Sequence, residues 1–238
     1  MWAICKREIQ SYFYSPIGYV FIAMFMLICG ILFFAVNIAV TSPTSDYVST
    51  LQSMTIFFSF IVPVLTMRSF ADERKTKTDQ LLLTAPIKIS HVVLGKYFAT
   101  LFVLFVTLLL NTVYPIVLSI YGSPDAAGIL ASYIGFFLMG ATFMAIGIFI
   151  SSLTESQVVA AVSTFAVAFV LWLGSRALST LDVPIVQTLV SSLSIYDRYS
   201  SFSNGIIGFS PIIYYLSISG LFVFLTVRVI ERRRWIGA

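Results

Sequence analysis

Charge is what this sequence has least of. Asp, Glu, Lys and Arg make up 10% of its 238 residues, against roughly 25% in an ordinary soluble domain, and that scarcity excludes a soluble enzyme. The single histidine, His91, cannot assemble a metal centre, since Cys5 and Cys29 are the only cysteines and no CxxC or HExxH spacing occurs. Cys5 in the polar N-terminal segment and Cys29 inside an apolar run are poorly placed for a disulfide. GxSxG and GxxxxGK[ST] are both missing, so neither a serine nucleophile elbow nor a nucleotide-binding loop is present.

What remains is apolar. Hydrophobic residues make up 59% of the chain and the mean hydropathy is +0.98. About 140 apolar residues would supply roughly six segments of the ~20 residues that cross a bilayer's hydrocarbon layer. The runs are unbroken, which argues against an outer-membrane barrel, whose strands alternate apolar and polar positions. A net charge of +4 is therefore read as a topology signal and carries no nucleic-acid inference. The N-terminal apolar run is too long for a signal-peptide core and is expected to be retained as a span.

Six runs are marked by composition: Ile17 to Val40, Leu51 to Met67, Tyr97 to Tyr121, Ile129 to Ser152, Gln157 to Leu178 and Phe209 to Val229. Alternating their connections across the membrane gathers Lys6, Arg7, Arg68, Arg74, Lys75, Lys77, Lys88, Lys96, Arg228, Arg232, Arg233 and Arg234 on one side. Only Arg176 and Arg198 fall on the other. The basic side is predicted to be cytoplasmic, with both termini there. Short outward connections fall near Pro43 and Asp46 and near Pro124 and Asp125, and a longer one spans 179–208. Trp2 and Trp235 flank the inner boundary.

In residues 1–16, Trp2, Cys5, Ile9 and Phe13 recur at helical spacing, with Lys6, Arg7, Gln10 and Ser11 on other faces. The pattern reads as an interfacial helix on the inner leaflet, or as a solvated extension of the first span. Pro16 and Gly18 would turn the chain into the membrane. In the outer loop, Val186, Leu189, Val190 and Leu193 share a helical face ahead of SIYDRYSSFSNG. That stretch is too short to cross, so one or two helices lying on the outer leaflet or dipping part way in are expected.

Within the six runs no Asp, Glu, Lys, Arg or His occurs in the core, which argues against ion-coupled transport and against a membrane-embedded hydrolase. Small residues suggest close helix packing instead: Ser156, Ala160, Thr164 and Ala168 in the fifth run, Gly135, Gly140 and Gly147 in the fourth. Asn111, Tyr114 and Pro115 either line a central path or subunit interface, or pack internally. Polar sequence is concentrated in 68–96, RSFADERKTKTDQLLLTAPIKISHVVLGK. There Thr78 reads as a helix cap, Leu81, Leu82 and Leu83 as an apolar surface, and Pro86 as the stop. Such a helix either covers its own bundle or docks into a soluble partner.

The run ERKTKTDQLLLTAPIKISHVVLGK resembles the ABC-2 type permease family, in which a pattern close to GTxExLLTxPI is followed by LGK at the third span. The likeness continues through SSLTESQVVAAVSTF and FSNGIIGFSPIIYYLSISGLFVFLTVRVIERRRW and covers nearly the whole chain. The opening KREIQSYFYSPIGY is similar to the branch of gliding-motility and nitrous-oxide-reductase-maturation permeases. The chain departs from the pattern at Lys77, where the family often has glycine, and at Gln80, where it often has glutamate.

The resemblance implies an all-α polytopic membrane protein, one permease domain over 1–238. It would have six transmembrane helices, an N-terminal interfacial helix, a short cytosolic coupling helix, and interfacial or re-entrant helices between the fifth and sixth spans. Thr78, Asp79, Gln80, Leu81, Leu82, Leu83 and Pro86, with Thr154 and Glu155, would touch a cytosolic ATPase subunit that carries ATP and Mg. No cofactor is expected in this chain. The other partners implied are a second permease copy or paralogue, the lipid bilayer and an accessory extracytoplasmic protein. The expected function is a non-catalytic permease subunit of an exporter in a prokaryotic cytoplasmic membrane. The alternatives are a membrane anchor for an ATPase without transport and a membrane-embedded enzyme.

Overall fold

The computed structural model describes residues 2–39, 46–78, 88–178 and 194–236. Ten α-helices run through them: α1 Trp2–Tyr14, α2 Pro16–Phe33, α3 Tyr47–Thr66, α4 Arg68–Lys75, α5 Ile89–Asn111, α6 Val113–Tyr121, α7 Ala126–Leu153, α8 Gln157–Leu178, α9 Ile195–Ser203 and α10 Phe209–Ile236. No strand occurs among the described residues. Among the described residues six stretches are long and apolar enough to cross a membrane: Pro16–Ile38, Tyr47–Lys75, Ile89–Tyr121, Ala126–Leu153, Gln157–Gly174 and Phe209–Arg233. The chain is an all-α polytopic membrane protein.

Local chemistry sets the helix boundaries. Pro16 opens α2, where its missing N–H costs nothing. Asp46 caps α3 by accepting from Ser49 N at 3.1 Å, and Asp125 caps α7 by accepting from Ala127 N at 3.1 Å. A π-helical turn, Phe34–Ile38, closes α2. Its Asn37 donates to Thr50 Oγ1 at 2.9 Å and accepts from Asp46 N at 3.1 Å, tying the end of the first span to the start of the second. Pro115 does not sit inside a continuous helix. The chain breaks at Thr112, and Pro115 falls in the first turn of α6, where an absent donor is harmless.

α7 is the central post. It packs against α3, α4, α5, α8, α9 and α10. Of its apolar window 72% is buried, against 22%, 17% and 22% for α2, α8 and α10, which present most of their surface outward. Edge-to-face rings fill the middle: Phe136 lies 5.0 Å from Phe58 and 5.7 Å from Phe25, centroid to centroid. Close approach depends on glycine. A Cβ on Gly147 would stand 2.4 Å from Thr66 Oγ1 of α3. Gly147→Ala is therefore expected to cost about 1–3 kcal/mol through overpacking, read as a lowered unfolding temperature in detergent. Of the small ridge, Ala160, Thr164 and Ala168 of α8 are buried, whereas Ser156, just ahead of the helix, is exposed.

Two features differ from the sequence reading, and α9 takes one of the two alternatives left open there. The second and third apolar helices start earlier, at Tyr47 and Ile89 rather than Leu51 and Tyr97, and both described ends of 68–96 are helical: α4 prolongs α3, and α5 begins well before Lys96. In α1, Cys5 is buried and Ile9 and Phe13 are half-buried, but Trp2 is exposed and Tyr12 takes a buried place, because its hydroxyl donates to Leu65 O at 3.3 Å. Finally, α9 does not lie flat. Its Tyr196 hydroxyl meets Ser59 Oγ at 2.8 Å and its ring lies 5.4 Å from Phe143, both deep in the bundle, so α9 is the dipping alternative. Val186, Leu189, Val190 and Leu193 lie outside the described residues.

Candidate functional site

The site lies at the basic end, where α4, the 154–156 turn and the first turns of α5 and α8 meet beneath α1. Where α3 passes into α4, α7 supplies the hydrogen-bond partner. Ser151 Oγ accepts from Phe70 N and Ala71 N, each at 3.1 Å, and donates to Met67 O at 3.1 Å. Beyond it the α7–α8 turn is stitched to α4. Arg74 Nη2 meets Glu155 Oε1 at 2.5 Å, and Asp72 accepts from Gln157 Nε2 at 2.6 Å and from Arg68 Nε at 2.8 Å. Thr154 Oγ1 accepts from Ser156 N at 3.2 Å, holding the turn. Arg74 Nη1 is buried with no hydrogen-bond partner.

Lys96 is the residue that sequence reasoning missed. It is 2% exposed, and its Nζ donates to Glu73 Oε1 at 2.8 Å and to Glu8 Oε1 at 3.1 Å, 5.1 Å from the Phe70 ring centroid. One buried cation thus joins α1, α4 and α5. The signal was present in the helical register: Lys96 follows Ile89, Val92 and Val93 at intervals of seven, four and three residues on the inward face of α5. Gly95 lets α1 close over it, since a Cβ there would sit 3.0 Å from Ile4 Cγ2. Burial, and after it the Glu8 carboxylate, push the Cys5 thiol and the Tyr12 phenol of α1 up from their ordinary values. Both stay neutral at physiological pH, so Cys5 is a poor nucleophile.

At the far end of α4, Thr78 N donates to Glu73 O at 2.9 Å and Lys77 N to Arg74 O at 3.1 Å, the paired bonds of a Schellman motif. Lys77 occupies its left-handed position with φ 57°, and that is why a glycine suits this place. Lys77→Gly relieves the Cβ strain and returns part of it as unfolded-state entropy, for a net gain of about 0.5 kcal/mol, checked by differential scanning of the detergent-purified chain. Thr78 closes α4: its Oγ1 donates to Glu73 O at 3.2 Å and lies 3.0 Å from Thr76 Oγ1. Asp79, Gln80, Leu81, Leu82, Leu83 and Pro86 lie outside the described residues.

Asn111 and Tyr114 are far from this end. Asn111 is fully buried, and its Oδ1 accepts from Tyr47 OH at 2.9 Å and from Cys29 Sγ at 3.4 Å. Tyr114 OH donates to Met26 O at 2.8 Å, and Pro115 is buried. The polar demand of this cluster is met inside the chain. Among the described residues no group of three or more His, Cys, Asp and Glu side chains could hold a metal.

A family model described as ABC-2 family transporter protein matches residues 35–228, from the end of the first apolar helix into the last. The chain belongs to this family. No curated protein matches the sequence. An ABC-2 protein of this kind is a membrane permease subunit of an ABC transporter, a family that is generally non-catalytic and that associates with an ABC ATPase and the membrane. The described geometry gives this permease a stiff polar assembly at one end and an almost uncharged bundle above it.

Proposed function

We propose that this permease belongs to an exporter in a prokaryotic cytoplasmic membrane and that its basic end, with both termini, faces the cytosol. There it receives motion from an ATPase subunit holding ATP and Mg, through 76–88 and the Thr154–Glu155 turn. Within the family the opening sequence favours the gliding-motility and nitrous-oxide-reductase-maturation branch. A second permease copy or paralogue completes a central path, with Asn111, Tyr114 and Pro115 as candidates for lining it or the subunit interface. An accessory extracytoplasmic protein is a further partner.

One observation carries the reading. The two stems of the 76–88 connection are clamped by Lys96 and Glu73, and the neighbouring turn is clamped to the same helix by Arg74 and Glu155. A push on the connection therefore moves α4, α5 and the α7–α8 turn together, and the rigid spans carry it outward as a shift between two packings. The chain has no nucleotide-binding loop of its own, so energy must arrive this way.

The test is ATP hydrolysis by the purified permease–ATPase assembly in proteoliposomes across a substrate panel. Hydrolysis that responds to a substrate, with that substrate accumulating on the side away from ATP, is expected. Hydrolysis indifferent to every substrate favours the anchoring alternative.

A further inference from the structure

Between α1 and α4, beside Lys96, lies a half-open polar pocket of about 140 Å³ that the coupling reading does not use. Three cations and three carboxylates line it, but they are not equally committed. The carboxylates are taken: Glu8 and Glu73 by Lys96, Asp72 by Arg68 and Gln157. The donors are not. The Arg7 guanidinium stands 3.8 Å from Glu8, and its side chain is 70% exposed. Arg68 spends only Nε on Asp72. Ser69 is 4% exposed, and its hydroxyl has no hydrogen-bond partner. Ser15 stands at the N-cap of α2 but turns its hydroxyl back to Tyr12 O at 3.4 Å, leaving the first turn of α2 without a side-chain cap.

Unspent guanidinium and hydroxyl donors lining one cavity call for an acceptor-rich anion. The depth of the pocket identifies its source. Ser15 marks the point where the chain enters its first span, and the neighbouring Tyr14 and Tyr19 are exposed, as aromatic side chains are at the headgroup level of a bilayer. We propose that this pocket binds the phosphate group of a phospholipid headgroup, docking α1 against α4 at the membrane surface. Arg7 and Arg68 take the phosphate oxygens, and Ser69 supplies a neutral donor. The site does not depend on the ATPase reading and stands or falls separately from it.

The test is native mass spectrometry of the purified full chain in detergent, titrated with dihexanoyl-phosphatidylglycerol, with dihexanoylglycerol, which lacks phosphate, and with inorganic phosphate. The expected result is saturable binding of the phosphatidylglycerol, weakened about tenfold in Arg7→Gln, and no comparable binding of dihexanoylglycerol. Arg7 is exposed, so that variant should unfold at the wild-type temperature. Ser69→Ala should also weaken binding, without loss of stability, because no internal bond is removed. Inorganic phosphate binding with the same Arg7 dependence, while the lipid does not bind, would keep the phosphate site and reassign its source to the cytosol. Equal retention of phosphatidylglycerol by wild type and both variants, or binding of dihexanoylglycerol as tight, or no binding of either phosphate probe, overturns the proposal.

Discussion

Lys96→Met should destabilise the folded chain by about 3–5 kcal/mol, the loss typical of removing one partner from a buried ion pair. The side chain of Lys96 is 3% exposed and those of its partners Glu8 and Glu73 are 13% and 17% exposed, so losing the cation leaves two carboxylates unpaired and largely desolvated. Met fills the space of the lysine stem, so the loss is electrostatic rather than a cavity. In a thermal scan of the detergent-purified protein the midpoint should fall by on the order of 10 °C. Adding Glu8→Gln and Glu73→Gln to Lys96→Met should restore most of it, because neutral amides tolerate burial where unpaired carboxylates do not. A single variant that melts with the wild type would mean that Lys96 is hydrated and that α1 is not clamped to the bundle.

Leu82→Asp should leave membrane insertion and the unfolding temperature unchanged, since in the sequence Leu82 falls in the polar 68–96 segment between two apolar runs. The same change should weaken association with the ATPase subunit by about 2 kcal/mol or more, roughly thirtyfold in affinity, because a charge is buried unpaired at the centre of an apolar contact. Substrate-dependent hydrolysis should fall with it. Leu82→Met keeps the apolar surface and should behave as wild type. Co-purification and hydrolysis rates measured on the three proteins check this, and unchanged association in Leu82→Asp would remove the coupling role from this segment.

Much of the fold could be read from the sequence because membrane helices announce themselves by length and hydropathy, and nothing in tertiary packing competes with that signal. The starts of α3 and α7 follow from a similar local cause, in that Asp46 and Asp125 are caps whose role depends on their nearest neighbours. The basic end was not legible. Lys96 looked like a loop residue because its charge was weighed alone, and its burial depends on Glu8 and Glu73, 88 and 23 residues away. The same holds for Ser151, an unremarkable serine by composition that caps α4 from another helix, and for Tyr12, drawn inward by the carbonyl of Leu65. α9 was ambiguous because nine residues of mixed polarity fit either a surface or a cleft. Ser59, Phe143 and Tyr215 decide for the cleft.

The central claim is that ATPase motion enters through the connection between α4 and α5. The most direct measurement places a single cysteine at position 82 in a chain carrying Cys5→Ala and Cys29→Ala, co-expresses it with its ATPase partner, and scans cysteines over the partner's surface by oxidative cross-linking with and without ATP. The account predicts efficient cross-links to one groove of the ATPase, with positions that change when ATP is bound. Cross-links formed only within the permease, the same in both states, would contradict it.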